Sequence, residues 1–80
     1  MSGGHFDYAY FRVRSFAEDL KRELEETPTR WNHTVTKELE QIVMQAEHLS
    51  KLMKEVEWLY ESDIDEDTFM EDITRLKGDE

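Results

Sequence analysis

The sequence predicts an all-α protein: a helical hairpin of two long helices plus a short C-terminal helix, assembled as an oligomer. Apolar residues recur at spacings of three and four along residues 34–60, the period of one face of an α-helix. The same period runs through the N-terminal third of the chain. A chain of eighty residues builds only a small core, and without cysteine no disulfide can stabilise it. Oligomerisation is therefore an expected source of stability.

The first helix is predicted over residues 8–26, behind an arm formed by residues 1–7. The two glycines of the arm are poor helix formers, and Asp7 is a candidate N-cap. The apolar stripe of this first helix contains Phe6, Ala9, Tyr10, Val13, Phe16, Ala17, Leu20 and Leu24. Alternating residues over 8–14 also fit an extended segment. We favour the helix because the 3.6-residue period continues unbroken, but this choice stays open at the level of sequence.

The second helix, over residues 34–60, is the longest element. Pro28 disfavours helix at the residue before it, which leaves residues 27–33 as a loop with Asn32 or Thr34 as the cap. At 1.5 Å per residue this helix would be roughly 40 Å long, so the other elements must fold back along it. Its apolar arc of about 200° is wider than the roughly 100° stripe of a surface helix, and the excess needs a cover.

A short acidic helix is predicted over residues 65–77, after a turn that follows Tyr60. Asp63 or Asp65 would cap it and Gly78 would stop it. Its apolar side contains Ile64, Phe69, Met70, Ile73 and Leu76. Acidic residues crowd its first turn, where the positive end of the helix dipole favours them.

Composition predicts one acidic, cytoplasmic domain over residues 1–80. The net charge is −10, and residues 55–80 hold eleven acids against two bases. Such a field repels nucleic acid and membrane phosphates, so we expect neither as a direct partner. No apolar run reaches membrane-spanning length, and the opening residues lack the order of a signal peptide. If the chain is phage-encoded, the compartment would be the host cytosol.

Several large apolar residues fall off the predicted core stripes. Tyr8 and Phe11 point away from the stripe of the first helix, and Met44 and Trp58 lie among charged residues of the second. A small monomer rarely leaves so much ring surface in water. The simplest cover is the third helix together with a symmetric second copy, and the alternative is a ligand.

The N-terminal stretch GGHFDYAYFRVR has the composition of a nucleotide-binding segment. Glycines let backbone N–H groups approach an anion, aromatic rings stack on a base, and arginines bind phosphate oxygens. His5, Phe6 and Tyr8 can also be simple anchors of the arm. The candidate ligand-binding residues are Gly3, Gly4, His5, Phe6, Tyr8, Phe11, Arg12, Arg14 and Trp58.

Motifs for catalysis or metal binding are not found. The sequence has no glycine-rich phosphate loop of recognised spacing and no nucleophile motif, so we predict no enzyme and no cofactor. Asp63, Asp65 and Asp67 match the first ligands of a calcium loop, but Thr68 and Thr74 replace its glycine and bidentate glutamate. No metal ligand is therefore predicted.

The opening SGGHFDY, followed by FAEDL and later VEWLYESD, resembles a group of small uncharacterised proteins of phages and mobile elements. The heptapeptide is the specific part of this resemblance. In size, helical character and expected oligomerisation the chain is also similar to viral sponges that sequester cyclic-nucleotide or ADP-ribose immune signals. The resemblance implies an anti-defence protein, but it supplies no binding residues.

Two functions are therefore expected, both without catalysis. The first is sequestration of a nucleotide immune signal by the arm and its arginines, in a pocket completed by a neighbouring subunit. The alternative is an inhibitor whose acidic C-terminal third imitates nucleic acid and occupies a basic groove on a host defence protein. A structural helical adaptor is the third possibility.

Overall fold

The structure is a computed structural model that describes residues 6–78. It contains three helices, α1 (Ala9–Glu26), α2 (His33–Tyr60) and α3 (Glu66–Gly78), and no strand within the described residues. The all-α prediction is confirmed. Residues 9–14 are helical, which resolves the choice that sequence left open.

The chain turns sharply into α1. Asp7 and Tyr8 have φ angles of 57° and 54°, both in the left-handed region that L-residues seldom adopt. Tyr8 occupies the N-cap position without a side-chain hydrogen bond, so the prediction that Asp7 caps this helix is wrong. Asp7 lies inside the turn, one residue before the cap position. The turn directs Phe6 towards the C-terminal end of α2.

The loop between α1 and α2 uses side chains at both of its ends. The Thr27 hydroxyl and N–H both donate to the Glu23 carbonyl, at 2.9 and 3.0 Å. Asn32 caps α2, because its Oδ1 accepts the Val35 N–H at 2.9 Å. Of the two caps that the sequence permits, Asn32 is therefore the one used.

The junction between α2 and α3 is a tight turn with Ser62 in the left-handed region, at φ 66°. The Asp63 N–H donates to the Trp58 carbonyl at 2.9 Å, which is the bond of a Schellman-type ending. Asp65 then caps α3 by accepting the Thr68 N–H at 2.8 Å. Gly78 is the last residue of α3, one residue beyond the predicted bound.

The three helices form a layer one helix thick. Both α1 and α3 pack on α2, but α1 and α3 do not contact each other. The molecule measures 46 × 32 × 12 Å, so one of its dimensions is far smaller than the other two, as in a single layer of helices. The third helix therefore extends the layer and leaves the faces of the α1–α2 hairpin uncovered.

Few side chains are fully buried in this single layer of helices. Among the described residues, the buried apolar side chains are Tyr10, Ala17 and Val43. Phe16 was expected in the core stripe of α1, yet 53% of it is exposed. A single layer has two open faces, so a side chain must point along the layer towards a neighbouring helix to be fully enclosed.

Candidate functional site: the α1–α2 groove and the N-terminal turn

The structure describes six of the nine predicted ligand-binding residues. Gly3, Gly4 and His5 lie outside the described residues. The Phe6 N–H donates to Glu57 Oε2 at 2.9 Å, and the Phe6 ring meets the Tyr60 ring edge-on at 5.1 Å. Phe6 is therefore an anchor that ties the N-terminal turn to the end of α2.

Glu57 is a residue that sequence reasoning missed. It is only 2% exposed, although it is an acid on a helix rich in exposed acids. Its position carries a usable signal, since it follows Val43 and Ser50 at seven-residue intervals, and those two residues are also buried. All three therefore lie on the side of α2 that packs against α1.

Three rings cluster at the start of α1. Tyr10 and Phe11 stack with centroids 4.8 Å apart, and Tyr8 meets both edge-on, at 6.1 and 6.4 Å. Tyr8 and Phe11 are exposed, as expected from their positions off the core stripe, whereas Tyr10 is buried. The cluster therefore presents two accessible rings, those of Tyr8 and Phe11, packed against the buried ring of Tyr10.

The two predicted arginines lie on opposite sides of α1. They are two residues apart, about 200° around the helix, and they line different hollows. Arg14 lies in the groove between α1 and α2, while Arg12 lies beside Phe11 and Phe16. The structure therefore does not bring Arg12 and Arg14 to one site.

The groove between α1 and α2, called here the cationic groove, has a volume of about 350 Å³. It is lined by Tyr10, Arg14, Glu18, Glu47, Ser50, Lys51 and Lys54. Three cationic side chains thus converge in a chain of net charge −10, against two acids. Arg14 Nε contacts Glu18 Oε2 at 3.3 Å, an exposed pair of the kind that contributes little to stability.

Lys54 connects the groove to Trp58. Its ammonium nitrogen lies 5.1 Å from the Trp58 ring centroid and 6.0 Å from that of Tyr10. Both distances are within the range of cation–π attraction. Trp58, one of the predicted ligand-binding residues, therefore borders the groove through Lys54. Lys51 and Lys54 are site residues that sequence reasoning did not select.

Ser50 does not give the groove a nucleophile. Its hydroxyl donates to the Glu47 carbonyl of its own helix at 2.7 Å, and it is buried. A serine nucleophile needs a base within hydrogen-bond reach to take its proton. The hydrogen bond that the Ser50 hydroxyl donates here goes to a backbone carbonyl and not to a side-chain base.

A carboxyl pair lies between α2 and α3. Glu55 is 8% exposed, and its Oε1 has no hydrogen-bond partner among the described residues. Burial, followed by the hydrogen bond and charge of Asp72, raises the pKa of Glu55 to about 7, while Arg75 and Lys54 oppose the shift. Arg75 contacts Asp72 at 2.9 Å. Glu55 therefore keeps its proton up to about pH 7, well above the pH at which a glutamate ordinarily ionises.

The acidic turn before α3 forms an open concavity of about 620 Å³. The Thr68 N–H lowers the pKa of Asp65 by hydrogen bonding to its charged form. Part of the acidic charge is thus used in capping. Within residues 6–78 no group of three or more His, Cys, Asp or Glu side chains is placed to hold a metal ion.

Comparisons with protein-family models, with curated proteins and with solved structures find no match for this chain. No helix in the described part of the chain is both long and apolar enough to cross a membrane.

Proposed function

We propose that the protein is a non-catalytic binding protein that sequesters a phosphate-bearing nucleotide signal and acts as a homo-oligomer. The main observation in favour of a phosphate-bearing ligand is the convergence of Arg14, Lys51 and Lys54 in one groove, next to Tyr10 and Trp58. In this proposal it serves as a phage-type anti-defence protein by lowering the free concentration of an immune nucleotide.

The groove has the chemistry that a nucleotide phosphate requires. Arginine and lysine bind phosphate oxygens through charge-assisted hydrogen bonds, and arginine can do so with two parallel bonds. The groove volume of about 350 Å³ lies at the lower end of the range for small-molecule sites, roughly 300–1,000 Å³. It suits the phosphate and ribose portion of a ligand, with the base outside it.

The exposed rings of Tyr8 and Phe11 supply surfaces for that base. Both belong to the aromatic cluster around Tyr10, which itself lines the groove. Stacking on such a ring contributes about 1–3 kcal/mol per base. In this arrangement Arg14 is a phosphate contact next to the Phe11 ring, and Arg12 is not one, because it lies on the other side of α1.

The distribution of charge favours a small ligand over a nucleic acid. The whole chain carries a net charge of −10, which repels an extended polyanion. The groove holds three cations against two acids, a local net charge of +1 in a chain of net charge −10. This local charge attracts a compact anion at short range, where distant acids are screened. A mono- or dinucleotide is therefore the fitting ligand class.

Isothermal titration against cyclic dinucleotides, ADP-ribose derivatives and inorganic phosphate tests the proposal. We expect saturable heat with a nucleotide, and at least about tenfold weaker binding for Arg14→Ala and Lys54→Ala, the loss of about 1.4 kcal/mol. Arg12→Ala is the matched control and should bind as the wild type does. The proposal fails if no compound gives heat, or if Arg12→Ala weakens binding as much as Arg14→Ala.

A second candidate function is supported by the acidic turn. Asp63, Glu66 and Asp67 are exposed and line one concavity at the end of the layer, remote from the cationic groove. A basic groove on a host defence protein would complement this charge. Pull-down from host lysate at low and high salt separates the two functions: a basic partner lost at high salt, and lost on Asp67→Lys, indicates the inhibitor.

A further inference from the structure

We infer that two copies of this chain pair through one face of the helical layer, called here the apolar face. It is formed by Phe16 of α1 and by the α2 stripe Val35, Leu39, Ile42, Ala46, Leu49, Met53 and Val56. This inference deepens the homo-oligomer of the proposed function by naming its surface and requires no ligand.

The two faces of the layer differ in chemistry. Arg14 and Lys51 line the cationic groove on one face. Phe16 follows Arg14 by two residues and Leu49 precedes Lys51 by two residues, in each case about 200° around the helix. Phe16 and Leu49 therefore lie together on the opposite face. An apolar hollow of about 210 Å³, lined by Met53 and Val56 among others, continues this face.

The α2 stripe has the spacing of a coiled-coil seam. Its residues alternate at intervals of four and three from Val35 to Val56, the repeat that keeps one seam facing a partner helix. The stripe contains no charged residue, although 38% of the whole chain is charged. The middle of the stripe is not covered by α1 or α3, since Ile42 is 40% and Leu49 48% exposed. At its C-terminal end, Met53 and Val56 adjoin Phe6, Ala9 and Tyr10 and are partly buried.

A second copy is the occupant that this face fits best. A charged partner would leave its charges unpaired along the α2 stripe, whereas a second copy brings the same charge-free stripe. The charges on this face, Arg12 and Asp19, lie beside Phe16 at its α1 edge. A standard interface buries about 800 Å² per partner. The layer measures 46 by 32 Å, so a patch over roughly half of one face supplies that area.

The charge distribution selects an antiparallel arrangement. The acidic excess lies in residues 55–80, at the C-terminal end of α2 and in α3. A two-fold axis through the middle of the stripe places these ends at opposite extremes of α2, whose 28 residues span roughly 42 Å. Ala46 is then next to the axis, where a small side chain permits close approach of the two helices.

Sedimentation equilibrium of the ligand-free chain tests the interface. We expect the wild type to behave as a dimer of twice 9.6 kDa. Leu49→Lys should raise the dimer dissociation constant at least about tenfold, because it buries an unpaired charge. Met44→Lys is the matched control, since Met44 is also exposed but lines a hollow on the groove side, and it should leave the constant unchanged.

A cross-linking variant keeps the inference testable if Leu49→Lys does not fold. The chain has no cysteine, so Ala46→Cys forms a disulfide only between copies. We expect rapid dimer formation by Ala46→Cys under mild oxidation and none by Met44→Cys. A monomer throughout the micromolar range, or cross-linking by Met44→Cys instead, overturns the inference. Failure of nucleotide titration leaves these outcomes unaffected, so the two proposals fail separately.

Discussion

At the scale of single residues, Glu57 shows how one carboxylate holds the N-terminal turn. It is buried beside an apolar hollow lined by Phe6, Met53 and Val56. A buried carboxylate is costly unless it is hydrogen-bonded, and here it accepts the Phe6 N–H. The left-handed turn at Asp7 and Tyr8 is what brings that N–H within reach.

Glu57→Ala is expected to lower the free energy of unfolding by about 2 kcal/mol, the contribution typical of a hydrogen bond to a charged group. Urea denaturation measures the change, and amide exchange at Phe6 reports the lost bond directly. Glu57→Gln keeps an acceptor oxygen and should lose less. Gln41→Ala, at an exposed position of α2, is the control. Equal losses for the Ala and Gln variants would contradict this role.

Glu55 is expected to make stability depend on pH. Its pKa is about 7 in the folded chain and 4.5 ordinarily, so between these values the folded state holds a proton that the unfolded state has released. The free energy of unfolding therefore falls as pH rises from about 4.5 to 7, by at most about 3 kcal/mol, and stays lower above that range.

Urea denaturation at pH 5 and pH 8 tests this prediction. Glu55→Gln cannot ionise and should remove most of the fall, which makes the variant more stable than the wild type at pH 8. Glu71→Gln, at an exposed position of α3, should keep the fall. A wild type with the same stability at both pH values would show that Glu55 does not hold its proton.

At the scale of elements, the caps explain where the helices begin. The side-chain oxygens of Asn32 and Asp65 each accept the N–H three residues on, which satisfies a donor that the helix itself leaves free. The start of α1 lacks such a side-chain bond and is held by the turn at Tyr8. The starts of α2 and α3 thus depend on hydrogen bonds between residues close in sequence. The start of α1 depends on contact with α2.

Asn32→Ala is expected to cost about 1 kcal/mol of stability, the usual loss for an N-cap. The side chain that accepts the Val35 N–H disappears, and the first turn of α2 frays. Thermal or urea denaturation measures the loss. Asn32→Ser provides an equivalent acceptor and should recover most of it. An Asn32→Ser variant as unstable as Asn32→Ala would indicate that the cap is not the source of the loss.

At the scale of the whole molecule, the layer determines which part opens first. The α3 helix has no buried residue and packs on α2 alone, while α2 is held by both neighbours. Local opening requires the least free energy where few apolar contacts are lost. The dimer through the apolar face would add a second layer to α1 and α2.

Hydrogen exchange should therefore show faster amide exchange in α3 than in the middle of α2, at a pH where the native state persists. Mass spectrometry of peptides covering residues 66–78 and 40–55 measures the difference. Asp65→Ala, which removes the α3 cap, should accelerate exchange in α3 and leave residues 40–55 unchanged. Equal protection of α3 and α2 would mean that the three helices unfold as one unit.

Sequence predicted the elements well and the candidate site in part. The helical period, Pro28 and the capping residues are local signals, and they place all three helices within a residue or two of their observed bounds. The aromatic cluster at Tyr8 and Phe11 was found, but the grouping of Arg14 with Lys51 and Lys54 was not. These cations come from two helices, and only the packing of α1 on α2 brings them together.

The sequence by itself determined the helices, the candidate caps of α2 and α3 and the acidic C-terminal end, because each depends on residues close together in the chain. Only the tertiary structure decided that α1 and α3 lie on different sides of α2, that Arg14 lies in one groove with Lys51 and Lys54, and that Glu57 and Glu55 are buried. The physical reason is that a wide apolar arc on α2 can accept neighbours in several directions. Which directions are filled depends on contacts between residues far apart in the sequence.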